Sequence, residues 1–168
     1  LLGCDMLTAG SQDAIAKTRA GRTFAAINTH ETPPGNFTQQ RDWSYPATQI
    51  RALIDESVGG QAAWIDATRL ATALMGDSIA TNLFMLGYAW QLGRVPISED
   101  ALLRAIELNG VAVEGNKRAF RWGRVAAVDP ARIETLIAPR AAAGMAGTSA
   151  ATGATGTGAS AGTGTVSV

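Results

Sequence analysis

The chain has 168 residues, 46% hydrophobic and 17% charged, and its 14 basic and 14 acidic side chains give a formal net charge of +0. Zero net charge argues against an extended basic surface, so we expect no nucleic-acid partner and no anionic lipid partner. The single cysteine excludes an internal disulfide framework, and one cysteine with one histidine excludes a Cys/His zinc site. All charged residues precede Ala141, so a charged body is followed by an uncharged end.

Two stretches bear on location and order. The apolar stretch 78–93 is too short and too polar to span a bilayer, and no basic start followed by an apolar run marks a signal peptide. We therefore predict a soluble, cytoplasmic chain that does not enter a membrane. Residues 141–168 carry seven of the 19 glycines in an Ala/Thr/Ser background, which predicts a disordered low-complexity tail.

Short apolar segments alternate with helical ones in the first half. Residues 1–9 have the apolar pattern of a β-strand from the first residue onward. We therefore expect this chain to be a fragment that is cut at its N-terminus within a domain. Ser11 is suited to cap a helix that ends near Gly21. This βαβ rhythm predicts an α/β, Rossmann-like three-layer domain with parallel strands. The further predicted elements are a strand at 23–29, an irregular stretch at 30–47, a helix at 48–58, a strand at 62–67 and a helix at 68–76.

The second half has the pattern of a helical region. The stretch 78–91 is apolar on nearly every side, which predicts a helix buried on most faces. Ser98 is a good N-cap for a helix that ends near residues 109–110, and a last helix is predicted from Val111 to about Arg124. The residues expected to face inward are Ile79, Leu83, Leu86 and Trp90 in the first helix, Leu102, Leu103 and Ile106 in the second, and Val113 and Phe120 in the third.

Two residues near predicted strands are candidates for chemistry. Cys4 precedes Asp5 in an apolar strand, where no cation stabilises a thiolate, so we interpret it as buried filler. His30 follows a strand whose carboxyl end faces the crevice where ligands bind in open α/β sheets. It is a weak candidate for cofactor binding, and the alternative is a histidine hydrogen-bonded within its own turn.

Three other polar residues are weak candidates for cofactor binding. Asp66 ends the third predicted strand and either accepts from a sugar-like hydroxyl or, more commonly, caps the next helix. Asp77 or Ser78 is expected to cap the apolar helix, and Asn82 needs a polar partner if that helix buries it. The sequence identifies no catalytic residue and no metal ligand. A basic group on the last helix could bind phosphate or an acidic partner, but Glu114 lies nearby at helical spacing and favours a solvated face. The group consists of Lys117, Arg118, Arg121 and Arg124.

Several long strings carry a resemblance to a known family. DATRLATALMGDSIATNLFMLGYAWQ occupies residues 66–91, and further strings lie at 101–114 and 116–124. With GCDM at 3–6 and NTHETP at 28–33, they closely resemble the indolepyruvate ferredoxin oxidoreductase family. The similar region is the gamma-type domain of its long fused bacterial members, the pyruvate/ketoisovalerate oxidoreductase catalytic domain.

The resemblance implies oxidative decarboxylation of an aryl 2-oxoacid such as indolepyruvate to an acyl-CoA, with electrons passed to ferredoxin. In the complete enzyme it implies thiamine diphosphate for the carbanion chemistry and [4Fe–4S] clusters for electron transfer. Both would lie on other domains or subunits, which are the expected partners, and ferredoxin and CoA would act through the holoenzyme. Cys4 alone cannot hold a cluster, so this segment is expected to carry no cofactor and to be inactive by itself.

The resemblance also predicts the domain boundaries. Residues 1–127 correspond to the C-terminal portion of the gamma-type domain, 128–140 to a terminal helix or linker, and 141–168 to the low-complexity tail. The family continues as a charged helical region where this chain becomes uncharged, so we expect a frame shift or a true truncation after about Pro139. Within the string GDSIATN, Gly76, Asp77 and Asn82 match the family's helix start, whose implied role is structural or interfacial.

Other functions stay open at this point. One is a non-catalytic nucleotide- or CoA-binding Rossmann-like module that uses the strand ends at His30 and Asp66. Another is a pure interaction domain, and a third is the gamma subunit of a pyruvate/2-oxoisovalerate oxidoreductase.

Overall fold

The computed structural model describes residues 1–31 and 46–138. A three-stranded parallel sheet has the order β1 (Leu2–Gly3), β2 (Ala25–Asn28) and β3 (Ala62–Ile65). The helices are α1 (Met6–Ala9), α2 (Gln12–Ile15), α3 (Ala47–Ser57), α4 (Ala67–Met75), α5 (Thr81–Gln91), α6 (Glu99–Asn109), α7 (Val113–Val128) and α8 (Pro130–Ile137), with a 3-10 turn at Ser78–Ala80 before α5. The α/β, Rossmann-like prediction with parallel strands is confirmed.

The central strand separates two apolar cores, because successive side chains of a strand point to opposite faces. Ala25 and Ile27 pack with Ile54 and Val58 at the end of α3. The intervening Ala26 instead belongs to a core with helical residues from α4, α5, α7 and α8, which include Leu70, Phe84, Met85, Ala126 and Ile133. The sheet therefore lies between α1–α3 on one face and α4, α5, α7 and α8 on the other.

Helices begin and end at several of the capping residues that the sequence predicts. The Ser11 hydroxyl accepts from the Ala14 N–H at 3.3 Å, and Ser98 accepts from the Ala101 N–H at the same distance. Gly76 and Gly110 end α4 and α6 with φ of 82° and 71°, a left-handed conformation that glycine adopts without a Cβ clash.

Four predicted boundaries differ in the structure. The opening strand covers only two residues, because Asp5 accepts from the Thr8 N–H at 2.6 Å and starts α1. The helix after Ser11 ends at Ile15, and α7 extends past Arg124 to Val128. The predicted helix at 78–91 begins as a 3-10 turn, which leaves Ile79 79% exposed and not in the inward stripe. The predicted tail and most of the irregular stretch lie outside the described residues.

Helices α5 and α7 approach each other through two glycines. A Cβ built on Gly87 of α5 would lie 1.9 Å from the Phe120 carbonyl oxygen, and one on Gly123 of α7 would lie 1.9 Å from the Phe84 carbonyl oxygen. Any side chain at either position would overlap the backbone of the opposite helix. The two helices therefore pack backbone to backbone, and Phe84 and Phe120 on either side of the crossing are completely buried.

No helix within the described ranges is long and apolar enough to cross a membrane.

Replacing either crossing glycine by alanine should destabilise the protein strongly. G87A or G123A must push α5 and α7 apart, and we expect a loss of about 3 kcal/mol or more in the free energy of unfolding. G115A is the matched control, because Gly115 lies on α7 with open space where its Cβ would be. There the better helix propensity of alanine should leave stability unchanged or raise it by about 1 kcal/mol. Urea denaturation measures all three, and equal effects would contradict the crossing argument.

Candidate functional site

A cavity of about 390 Å³ lies beside the carboxyl ends of the strands, at the start of α5. Parallel strands and the helices that follow them bring loop residues together at this edge of a sheet. The residues lining it come from the turn after β1, the end of β2, α4 and the start of α5, and they are Cys4, Asp5, Asn28, His30, Thr68, Ser78, Thr81 and Asn82.

Asn28 ties this edge of the sheet together. It ends β2, is 3% exposed, and shares the face of Ala26 towards α4 and α5. Its amide NH₂ donates to the Cys4 carbonyl at 3.0 Å and to the Thr68 hydroxyl at 2.9 Å. Its amide oxygen accepts from the Ala67 N–H at 3.0 Å. The side chain thus joins the loop after β1 to the first turn of α4.

The network around Asn28 extends to its own loop and to α5. The Asn28 oxygen also accepts from the backbone N–H groups of His30 at 3.3 Å and Thr68 at 3.4 Å. The Thr81 hydroxyl, buried at the start of α5, donates to the Thr68 hydroxyl at 3.4 Å. Buried polar groups need such partners, and the donors and acceptors of Asn28 are all used. Its contacts are those of a structural residue.

His30 and Asp66 are brought together, as candidates at adjacent strand ends should be. Nδ1 of His30 lies 3.6 Å from Asp66 Oδ1, and the exposed fractions of the two side chains are 43% and 34%. Asp66 also caps α4 by accepting from the Arg69 N–H at 3.0 Å. The capping interpretation of Asp66 is confirmed, and among the described residues no hydrogen bond or ion pair joins His30 or Asp66 to Asp77 or Asn82.

Arg69 continues the ion pairs from the sheet edge to α8. Its guanidinium lies 3.7 Å from Asp66 and donates through two nitrogens to the Glu134 carboxylate. The hydrogen bond to Glu134 raises the pKa of Arg69, and the same bond lowers the pKa of Glu134. The paired charges hold the C-terminal helix of the described chain against the first turn of α4.

Asp77 is a cap, which is one of the two alternatives that the sequence predicts, and Asn82 is not buried. Asp77 caps the 3-10 turn by accepting from the Ile79 N–H at 2.9 Å, so Asp77, and not Ser78, is the cap. Asn82 is exposed and lies at the rim of the cavity. The expected need for a polar partner applied only to a buried Asn82, so that condition does not arise here.

Cys4 lies between β1 and α1 and not within a strand. Its side chain is partly buried, and this burial raises the pKa of the thiol. A raised pKa disfavours the nucleophilic thiolate at neutral pH. Cys4 therefore contributes packing beside the cavity, in line with its interpretation as filler.

The donor atoms at this edge were compared with the needs of the cofactors that the sequence resemblance implies. A [4Fe–4S] cluster takes four thiolates, and the chain has one cysteine, so it does not fit here. Within residues 1–31 and 46–138, no group of three or more His, Cys, Asp or Glu side chains is placed to hold a metal ion. Asp5, the carboxylate lining the cavity, caps α1. Among the described residues at this edge, the metal-bound diphosphate of thiamine diphosphate therefore has no set of ligands.

Comparison with known proteins decides the family. The family model described as pyruvate ferredoxin/flavodoxin oxidoreductase matches residues 3–126. The chain belongs to this family. Members of this family are oxidoreductases with a ferredoxin-type electron acceptor. The match therefore implies that the chain is part of a multi-domain or multi-subunit oxidoreductase. Neither the curated proteins nor the solved structures gave a match to the chain.

Sequence reasoning on this oxidoreductase chain missed three features. The first is Asn28, because an asparagine ending a buried strand must find several partners. Gly87 and Gly123 were passed over, although a glycine inside a helical pattern costs about 1 kcal/mol and signals a packing reason. Arg132 was not connected to the basic group on α7, because no local pattern predicts the approach of α8.

Removing the Asn28 amide should loosen the sheet edge. N28A leaves the buried Ala67 N–H and the partly buried Cys4 carbonyl without their partner, and we expect the free energy of unfolding to fall by about 3 kcal/mol. N82A is the control from the rim of the same cavity, with an expected change within about 0.5 kcal/mol. Chemical denaturation of both variants checks this, and a near-neutral N28A would refute the structural role.

The Arg69–Glu134 pair should make stability depend on acidic pH. Because folding lowers the pKa of Glu134, the pair's contribution is present at neutral pH and is lost as the pH falls below about 4. The stability difference between wild type and E134Q should therefore be largest near pH 7 and should shrink towards about pH 3. E56Q is the control, since Glu56 is exposed and makes no ion pair among the described residues. Urea titrations across this range would contradict the assignment if both variants gave the same pH profile.

Proposed function

We propose that this chain is part of an indolepyruvate:ferredoxin oxidoreductase and acts there as an assembly domain. The complete enzyme would oxidatively decarboxylate aryl 2-oxoacids to acyl-CoA and pass the electrons to ferredoxin. Thiamine diphosphate and the [4Fe–4S] clusters would be held by partner domains or subunits. The strings at residues 66–91, 101–114 and 116–124 support the indolepyruvate branch within the wider family.

The observation that carries the assembly role is how the polar side chains at the sheet edge are used. Asn28 bonds to backbone and threonine partners, while Asp5, Asp66 and Asp77 each accept a backbone N–H at a helix or turn start. Catalysis needs a nucleophile or base free to meet a substrate, with a second group that orients it. In the described part of the chain the Asn28 amide and the three aspartates stabilise the fold instead. This use favours an assembly role beside the cofactor-bearing domains.

Ile79 marks the surface through which such assembly would occur. It lies in the family-like string GDSIATN at residues 76–82, in the 3-10 turn beside the strand-end cavity, and it is 79% exposed. Single exposed aliphatic side chains are common on protein surfaces, so it is the place of Ile79 within this string that makes it our choice for the contact with a partner domain. Leu108 on α6 is similarly exposed, at 71%, but lies outside the string at residues 76–82.

Reconstitution with the full 168-residue chain tests the proposal. Alone, with thiamine diphosphate, CoA and an acceptor dye, the chain should not turn over indolepyruvate. Co-expressed with the thiamine- and cluster-bearing polypeptides encoded beside it, it should co-purify and support turnover that favours indolepyruvate over pyruvate and 2-oxoisovalerate. I79D should weaken this co-purification about tenfold or more, whereas the matched variant L108D should leave it unchanged. Turnover by the isolated chain would overturn the assembly role, and a preference for pyruvate would overturn the substrate.

A second candidate function is a nucleotide- or CoA-binding module, and the strand-end cavity of about 390 Å³ favours it. That volume lies in the range of small-ligand sites, and exposed His30 with Thr68 and Ser78 could provide polar contacts. Isothermal titration of the isolated chain with CoA and with adenine nucleotides separates the two functions. Saturable binding without any partner polypeptide would support the module, and heats of dilution alone would exclude it.

A further inference from the structure

An open cavity of about 490 Å³ lies among the carboxyl-terminal end of α5, the second half of α7 and the start of α8. It is separate from the strand-end cavity, because α5 begins there at Thr81 and reaches Gln91 about 15 Å further along its axis. The lining residues include three arginines, and they are Gln91, Arg121, Arg124, Val125, Val128, Asp129 and Arg132.

Arg124 forms the fixed wall of this cavity. Its guanidinium lies 4.7 Å from the centre of the Trp90 ring and donates to the Glu99 carboxylate. Its Nε donates to the Gln91 amide oxygen at 3.0 Å. This bond fixes the orientation of the Gln91 amide, and its NH₂ group can donate to a ligand. The wall made by Arg124 and Gln91 is therefore preorganised and rich in N–H donors.

Arg121 and Arg132 bring two positive charges to the lining of this cavity. Both are exposed, and neither makes an ion pair within residues 1–31 and 46–138. The carboxylate in the lining, Asp129, is used as the cap of α8, where it accepts from the Arg132 N–H at 2.9 Å. Arg121 lies one turn before Arg124 on α7, and Arg132 reaches the same cavity from α8. Two helices thus bring two guanidinium groups that make no ion pair within the described residues to one concave surface, against the single negative charge of Asp129.

We propose that this cavity binds a small ligand through a doubly charged oxyanion group, a phosphate or diphosphate. Guanidinium groups suit such oxyanions because their planar N–H pairs bind two oxygens at once. Arg121 and Arg132 contact the oxyanion, Gln91 adds a neutral donor, and Val125 and Val128 provide apolar contact for the rest of the ligand. The volume of the cavity is in the range of small-molecule sites. An acidic protein segment is the other ligand class with suitable charge, and it is an outcome of the test below. The proposal is independent of the assembly role.

Titration with inorganic pyrophosphate tests the site directly. Isothermal titration of the full chain at low ionic strength should show saturable binding, and R121Q and R132Q should each weaken it about tenfold. R118Q is the matched control, since Arg118 is exposed on the same helix, lies outside the cavity and has the same charge. It should change the affinity less than about twofold. Unchanged circular dichroism spectra and melting temperatures would establish that the variants fold.

Nuclear magnetic resonance of the wild-type chain gives a second measurement that needs no variant. Pyrophosphate should shift the Nε–H resonances of Arg121 and Arg132 and leave that of Arg118 in place. Equal losses in R118Q, R121Q and R132Q would mean diffuse attraction to a basic surface and would overturn the site. Absence of binding at millimolar pyrophosphate would also overturn it. If an N-acetylated hexaglutamate peptide binds through Arg121 and Arg132 while pyrophosphate does not, the cavity is a docking surface for an acidic segment and the proposal is wrong.

Discussion

The backbone contact between α5 and α7 is the constraint on which the rest of this domain depends. Gly87 and Gly123 each leave room for a carbonyl of the opposite helix, which lets α5 lie between the sheet and α7. One consequence is that Phe84 and Phe120 are completely buried beside the crossing. Another is that both ends of α5 are fixed, with Thr81 at the strand ends and Gln91 beside the arginines of α7 and α8. Two residues without side chains thereby position both cavities.

The strand ends have the geometry of a ligand-binding site, but their polar side chains form hydrogen bonds and ion pairs within the protein. Parallel strands bring Asn28 and Asp66 to the edge where related architectures bind ligands. Here Asn28 uses its whole amide to connect the loop after β1 with α4, and Asp66 is shared between a helix cap, His30 and Arg69. Such a network makes the edge stiff, because each loop is held from two directions. A stiff, hydrogen-bonded edge suits a surface that meets another domain in a fixed register.

Local signals predicted more of the fold than of the site. The strands around Ile27 and Trp64 and the caps at Ser11 and Ser98 depend on a few neighbouring residues, so the pattern alone identified them. Ile79 was misplaced because the choice between a 3-10 turn and an α-helix depends on Asp77 capping two residues ahead. The role of Asn28 and the glycine crossing depend on residues 24 to 40 positions away, and no periodicity carries that information. The family strings indicated what kind of enzyme to expect, and packing determined what each polar residue does.

The packing of the helices gives the four cations of α7 different surroundings. Lys117 forms ion pairs with Glu107 of α6 and with Glu114, and Arg124 forms an ion pair with Glu99. Arg118 faces solvent, and Arg121 and Arg132 line one cavity together with Asp129. A formal charge of +0 therefore argues against a broad basic surface but still permits a small region where two guanidinium groups make no ion pair within the described residues. Ion pairs that neutralise the neighbouring cations make that region more selective, because an anion is drawn to one place on α7 and not along its length.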